Sequence, residues 1–274
     1  MQIGISSWSC PWAIGVAGYP VPPGPMGAME LLQLAAETGA QVLQIADNLP
    51  LHPLPRGMLK ELHREARLRG ITLEAGTRGL APDNLLQYLD IAGELGAKLV
   101  RTLPHDGTDR PDFEEALRRL RAVKPVFEAA GVMLAIENHD HYPSEWLRRL
   151  TEAADSPYIG VCLDAVNNLG LGESFREVLH TLGPRTVNFH CKDYTILRKP
   201  TMLGFDVVGA VAGEGMLDLA LAQNALRADI SWILESWLPW QEDIGSTLLT
   251  ERNWLLKGMD NLRRLARKAP GQAV

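Results

Sequence analysis

The chain has 274 residues, with 27 Lys plus Arg against 33 Asp plus Glu and a formal net charge of −6. Apolar residues make up 46% and charged residues 22%, a globular composition that excludes long disordered stretches. The acidic balance argues against a surface built to hold nucleic acid, no run of about 18 apolar residues predicts a membrane helix, and Met1–Ser6 lacks the basic and apolar segments of a secretion signal. A cytoplasmic location is therefore expected, and the three cysteines, Cys10, Cys162 and Cys191, form no CxxC pair and read as small core residues.

In chain order, short apolar runs predict strands over Ile3–Ser7, Val42–Ala46, Thr72–Gly76, Leu99–Leu103, Val132–Glu137, Ile159–Asp164, Thr186–His190 and Ser231–Glu235. Segments of helical period lie between them. Leu85, Leu86, Leu89, Ala92 and Leu95 form one stripe, closed by Gly96. Asp112–Ala129 carries Phe113, Ala116, Leu117, Leu120, Val123 and Phe127 on one face and ends at Gly131. Trp254, Leu255, Met259, Leu262 and Leu265 make a third stripe, with Arg263, Arg264, Arg267 and Lys268 read as solvated surface. Pro20–Pro25 and Tyr194–Gly215 show no helical period and read as long loops on one face, the second with room for a hairpin. Eight strands alternating with helices predict an α/β fold, a (β/α)8 TIM barrel forming a single domain over residues 1–274. A doubly wound sheet would carry GxGxxG after its first strand, and Gly4-Ile5-Ser6-Ser7-Trp8 offers no such loop.

In a parallel barrel, reactive groups collect where the strands end at the mouth. Strand five ends in Ile136-Glu137-Asn138-His139, strand six in Cys162-Leu163-Asp164, strand seven in Phe189-His190-Cys191-Lys192 and strand eight in Leu234-Glu235-Ser236-Trp237. Because strand side chains alternate, Glu137, Asp164, His190 and Glu235 can all point inward and converge. Three carboxylates crowded in a low-dielectric mouth repel one another by several kcal/mol, a cost that a divalent cation removes. Three oxygen donors and one imidazole suit Mn2+, Mg2+ or Co2+ better than a structural zinc. With such an ion the four side chains carry a net charge of −1, which suits a neutral polyol or keto-sugar.

Ile136-Glu137-Asn138, Cys162-Leu163-Asp164-Ala165-Val166-Asn167-Asn168, Phe189-His190-Cys191-Lys192-Asp193, Gly213-Glu214-Gly215 with Asp218, and Leu234-Glu235 together resemble the xylose isomerase-like TIM-barrel superfamily, which includes sugar isomerases, ketose 3-epimerases, inosose dehydratase and endonuclease IV. The resemblance implies one Mn2+- or Mg2+-like ion held by Glu137, Asp164, His190 and Glu235, with Glu137 and Glu235 as acid and base on opposite faces of the substrate. It also implies a homo-oligomer, a dimer or tetramer. Sugar 3-epimerases carry a His where this chain has Asn167, and a second Glu where it has His139-Asp140-His141.

The remaining residues carry open alternatives. Lys192 reads as a substrate contact or as a salt bridge to a neighbour such as Asp193. His139 and His141 read as acid or ligand groups, or as solvated loop residues. Asn167 reads as a substrate hydrogen-bonding group or a helix cap. Trp8, Trp12, Trp237 and Trp240 read as stacking surfaces for a sugar or as loop packing, and His105 with Asp106 ends strand four. The expected activity is a metal-dependent isomerase or epimerase working through an enediolate on a small sugar or polyol. The alternatives are a dehydratase or lyase on a keto-cyclitol or 3-keto-glycoside, a non-catalytic sugar-binding subunit, and, against the acidic balance and the seven histidines, a DNA-repair endonuclease.

Overall fold

The computed structural model describes residues 1–267; Lys268 and the six residues after it lie outside the described residues. Eight parallel strands close into a ring: β1 (Gln2–Ser6), β2 (Val42–Ile45), β3 (Thr72–Arg78), β4 (Leu99–Leu103), β5 (Met133–Glu137), β6 (Ile159–Asp164), the first half of β7 (Thr186–Arg198) and β9 (Ser231–Glu235), which returns to β1. The ninth strand, β8 (Phe205–Ala210), lies outside the ring. Helices α1 (Pro11–Ile14), α2 (Ala28–Glu37), α3 (Arg56–Leu68), α4 (Pro82–Leu95), α5 (Phe113–Ala130), α6 (Ser144–Ala154), α7 (Phe175–Leu182), α8 (Leu219–Ala225) and α9 (Ile244–Ala266) flank it. This is the (β/α)8 barrel that the strand count predicts.

The helices start and stop for local reasons. The Asp112 carboxylate accepts the Glu115 N–H at 2.9 Å and caps α5, and Gly131 at φ 60° ends it in a left-handed conformation that glycine adopts at little cost. The buried stripe of Ala116, Leu117, Leu120, Val123 and Phe127 then packs against the barrel. Along the strands, alternation sends Leu43 and Ile45 toward the helices and Gln44 toward the barrel axis, and all three are buried. Cys10, Cys162 and Cys191 are free and buried.

The expected Tyr194–Gly215 loop is in large part an antiparallel ribbon. β7 runs on past the barrel rim to Arg198 and pairs with β8 from Asp193↔Ala210 to Arg198↔Phe205. The outer halves of both strands, 196–198 and 205–207, are exposed throughout and leave no alternation of apolar and polar residues to read, and this conceals the ribbon in the sequence. The base of the ribbon is fixed by Asp193, whose carboxylate accepts the N–H groups of Gly213 (2.8 Å), Gly215 (3.0 Å) and Leu217 (2.9 Å). A Cβ at Gly215 would lie 2.2 Å from Asp193 Oδ1, so this close approach requires glycine at 215.

The Pro20–Pro25 loop is held by an aromatic cluster of Trp12, Tyr19 and Trp240, with ring centroids 4.9–5.4 Å apart. Beneath it, buried Glu251 on α9 accepts the Trp12 N–H at 2.8 Å and the Ala13 N–H at 3.0 Å. Burial pushes its carboxyl up to about 7 despite those two bonds. A carboxyl raised in the folded state binds its proton more tightly there than in the unfolded chain. Its contribution to stability is therefore complete below the ordinary value of 4.5 and is lost as pH rises to about 7. Glu251→Gln is expected to remove roughly 3 kcal/mol of that decline. Urea unfolding midpoints of wild type and variant, compared at about pH 5 and about pH 8, check this; parallel pH profiles would contradict it.

Candidate active site at the barrel mouth

The register of the barrel explains the convergence of the strand-end groups. Glu137 pairs with Cys162, and Cys162 with Asn188; Asp164 pairs with His190, and Lys192 with Glu235. Climbing this stagger, four strands bring Glu137, Asp164, His190 and Glu235 together, each almost completely buried. His190 Nδ1 lies 3.2 Å from Glu137 Oε2, 3.4 Å from Glu235 Oε1 and 4.0 Å from Asp164 Oδ2.

The imidazole is fixed from below. His190 Nε2 is 2.8 Å from Gln44 Oε1, and the Gln44 amide in turn donates to Glu74 Oε2 at 2.9 Å and to Asn188 Oδ1 at 3.2 Å. Asn188 Nδ2 donates to Ser231 (2.7 Å) and Glu74 (3.2 Å), and Ser231 Oγ donates to Glu74 (2.6 Å). This floor keeps the proton on Nε2. Nδ1 then faces the three carboxylates with no hydrogen-bond partner, and burial is outweighed by Glu235 and Glu137, which raise the imidazole's affinity for a second proton there. A buried nitrogen without a hydrogen-bond partner, aimed at three carboxylates, is a donor arrangement in which a divalent cation can take the place of that proton. Two overlapping triads, Asp164–His190–Glu235 and Glu137–Cys162–His190, have ligand atoms all within 4.8 Å of one another.

Two cations also occupy the site. Lys192 Nζ sits 2.9 Å from Asp164 Oδ2 and 2.9 Å from Glu235 Oε2, and 5.3 Å from the centroid of the Trp237 ring. Its partner is thus the site itself and not Asp193. Burial would lower its affinity for the proton, but Asp164 and Glu235 outweigh it and keep the ammonium charged. Arg101, buried on β4, is bonded through Nε to Glu137 Oε2 and through Nη1 to Asp47 Oδ1 (2.6 Å) and Thr77 O (3.3 Å). Burial would raise the Glu137 carboxyl, yet Arg101 and His190 hold it well below the usual range. Glu235 is likewise lowered, with His190 and Lys192 outweighing burial.

Asn167 spends its amide inside this network. Nδ2 donates to Glu137 Oε1 at 2.9 Å and its N–H donates to Asp164 Oδ1 at 2.9 Å. His139 lines the cavity, while His105 meets it edge to face with Nε2 3.2 Å from His139 Nδ1; burial and the neighbouring His139 push His105 down to about 4. His141 is exposed at the rim. The tryptophans divide. Trp8, whose Nε1 donates to Asp47 at 3.4 Å, and Trp237 line the cavity, whereas Trp12 and Trp240 belong to the loop cluster.

The resulting cavity of about 230 Å³ is lined by Trp8, Asp47, Arg78, Arg101, Glu137, His139, Asn167, Lys192, Glu235 and Trp237, with Leu103 and Asp140 at its edge. Asp47, Arg78 and Arg101 are absent from the strand-end reading. For Arg101 the signal is present, because Leu-Val-Arg-Thr places a charge inside an otherwise apolar strand, at the same parity as the other inward residues.

The family model for the xylose isomerase-like TIM barrel matches residues 13–265. The chain is 35% identical over 265 residues to 3-oxo-isoapionate decarboxylase of Pectobacterium atrosepticum, covering 96% of this chain and 95% of that protein. Among solved structures it is similar to D-psicose 3-epimerase of Clostridium cellulolyticum H10 (TM-score 0.69, 19% identity, 98% of this chain and 100% of that one). It is also similar to a xylose isomerase-like TIM barrel protein of Mycobacterium smegmatis in complex with magnesium (TM-score 0.65, 15% identity, 85% and 87%). No helix among the described residues is long and apolar enough to cross a membrane. The match over nearly the whole barrel and the full-length similarity to a curated relative establish that the chain belongs to the xylose isomerase-like TIM barrel family.

Proposed function

We propose that the protein is a divalent-metal-dependent lyase that releases carbon dioxide from a 3-oxo sugar acid. The observation that carries this reading is the pair of buried cations beside the carboxylates. Arg101 and Lys192, with Arg78 at the cavity wall, stand against Asp47, Glu137, Asp164 and Glu235. A divalent ion brings that balance, with Asp140 at the edge included, to neutral, so the cavity no longer repels an anionic substrate and Arg78 is left to meet it. The sequence reading counted only four ligand side chains and arrived at a neutral one. The full-length similarity to a 3-oxo acid decarboxylase supports the same conclusion.

In a 3-oxo acid the bond between the carboxylate and the adjacent carbon breaks with its electron pair moving toward the ketone. Carbon dioxide leaves, an enolate remains, and a proton then adds to the carbon. A divalent ion held by Glu137, Asp164, His190 and Glu235 would supply Lewis-acid polarisation of substrate oxygens; the three oxygen donors in the set favour a hard ion such as Mn2+ or Mg2+. The protein does the rest. The Lys192 ammonium points a positive charge at the developing oxyanion from a buried position. Arg101 and Asn167 hold Glu137 in place, Trp8 and Trp237 wall the substrate, and His139, which lines the cavity with its Nδ1 against His105, is the proton donor.

An isomerase or epimerase is the second reading, favoured by the presence of both Glu137 and Glu235 at the cavity wall. The two part on product mass. Metal-loaded protein incubated with a panel of short 3-oxo sugar acids in deuterated water is expected to release carbon dioxide and leave one deuteron on the carbon that lost it. Deuterium in recovered substrate with no carbon dioxide would establish the epimerase, and no exchange with ketoses or 3-oxo acids would point to a sugar-binding subunit.

A further inference from the structure

We propose that Arg78 recognises the substrate's carboxylate, so that the cavity selects sugar acids over the corresponding neutral polyols. This deepens the decarboxylase reading by assigning its charged group a partner. The argument starts from what each cation in the cavity already does. Arg101 is buried and spends Nε and Nη1 on Glu137, Asp47 and Thr77 O. Lys192 is buried between two carboxylates at 2.9 Å each. Arg78 is different. Its guanidinium makes one long ion pair, Nη1 to Asp47 Oδ2 at 3.5 Å, beyond the range of a charge-assisted hydrogen bond, and its side chain is 42% exposed. It is the cavity-lining cation whose planar fork of donors is not already taken up.

Its position is fixed although its tip is not committed. Arg78 is the last residue of β3, and its carbonyl accepts the Asn84 Nδ2–H at 2.8 Å, tying the strand end to α4. In the ring order β3 stands four strands from β7, so Arg78 faces His190 and Lys192 across the barrel. A small acid lying across the cavity can therefore place its ketone and hydroxyl oxygens toward β5, β6, β7 and β9 and its carboxylate toward β3. The separation has a chemical consequence. A carboxylate gripped by buried charges would be stabilised as an anion and would resist leaving as neutral carbon dioxide; a half-exposed arginine orients it with a weaker hold.

The test uses the full-length Mn2+-loaded protein and a probe that cannot react. Titration calorimetry with ribonate and with ribitol is expected to show about tenfold or greater preference for the acid in the wild type. Arg78→Gln is expected to erase that preference while ribitol binding persists, and Arg78→Lys to retain part of it. Melting curves of the variants check that they fold, and the exposure of the side chain makes a folding defect easy to separate. An acid preference unchanged in Arg78→Gln, or none in the wild type, overturns the inference. Arg78-dependent preference without carbon dioxide release from any 3-oxo acid would end the decarboxylase reading and leave this one standing; carbon dioxide release with a preference insensitive to Arg78 would do the reverse.

Discussion

Lys192→Met is expected to lower turnover on a 3-oxo sugar acid by about 10²–10³-fold, the loss typical of removing one preorganised donor to a developing oxyanion. The same substitution should destabilise the metal-free protein by roughly 3–5 kcal/mol, because Asp164 and Glu235 are then left buried without the ammonium that stands 2.9 Å from each. The two effects separate on adding metal. A divalent ion compensates the same carboxylates, so the stability deficit should shrink in saturating Mn2+ while the turnover deficit remains. Lys192→Arg keeps the charge but replaces a compact ammonium by a planar fork in a fully packed site, and it should rescue stability better than turnover. Thermal melts with chelator and with Mn2+, together with steady-state rates, check all three statements. A variant within tenfold of wild-type turnover would remove Lys192 from the chemistry and leave it a charge-balancing group. Equal stability deficits with and without metal would show that no ion reaches Asp164 and Glu235.

The strand-end groups were legible because three simple facts coincide on them. An apolar run stops at a carboxylate or imidazole, the position has the inward parity, and this happens on four neighbouring strands. Arg101 has the inward parity but lies inside β4 and not at its end, and Gln44 and Glu74 are likewise polar residues in the middle of apolar strands. A search for polar residues of inward parity anywhere along the strands would have found the floor as well as the rim. Asp47 and Arg78 were harder. Asp47 follows β2 in a turn, and Arg78 belongs to a strand that runs two residues beyond the predicted Thr72–Gly76. The tryptophans show what one sequence leaves open: Trp8 and Trp12 are four residues apart, and only the path of the chain after β1 puts the first against Asp47 and the second under Tyr19.

Stripping the protein of divalent metal with chelator should abolish activity, and Mn2+ should restore it, with a melting temperature that rises with free metal concentration. At one hundred times the dissociation constant the linkage is worth about 2.7 kcal/mol. The sharper expectation concerns Gln44, which touches no carboxylate of the upper ring. Its Oε1 accepts the His190 Nε2 proton, and its Nε2 donates to Glu74 and Asn188. Turning the amide over would set an N–H₂ group against the imidazole N–H and an oxygen against the Glu74 carboxylate, so the floor allows one orientation. That orientation fixes Nε2 as the nitrogen that donates to the floor and leaves Nδ1 as the one aimed at Glu137 and Glu235, 3.2 and 3.4 Å away, where a metal ion can replace its proton. Gln44→Leu fills similar space but releases the imidazole to take either tautomer. It should weaken Mn2+ binding by about 10–100-fold, the usual effect of losing the partner that orients a ligating histidine. The rise in melting temperature between stripped and metal-saturated protein should shrink in proportion. Calorimetric titration of stripped wild type and variant with Mn2+ reads this directly. If Gln44→Leu folds and binds Mn2+ as tightly as wild type, then either His190 is not a ligand or its orientation is set by the carboxylates alone, and the floor of the barrel has no part in holding the ion.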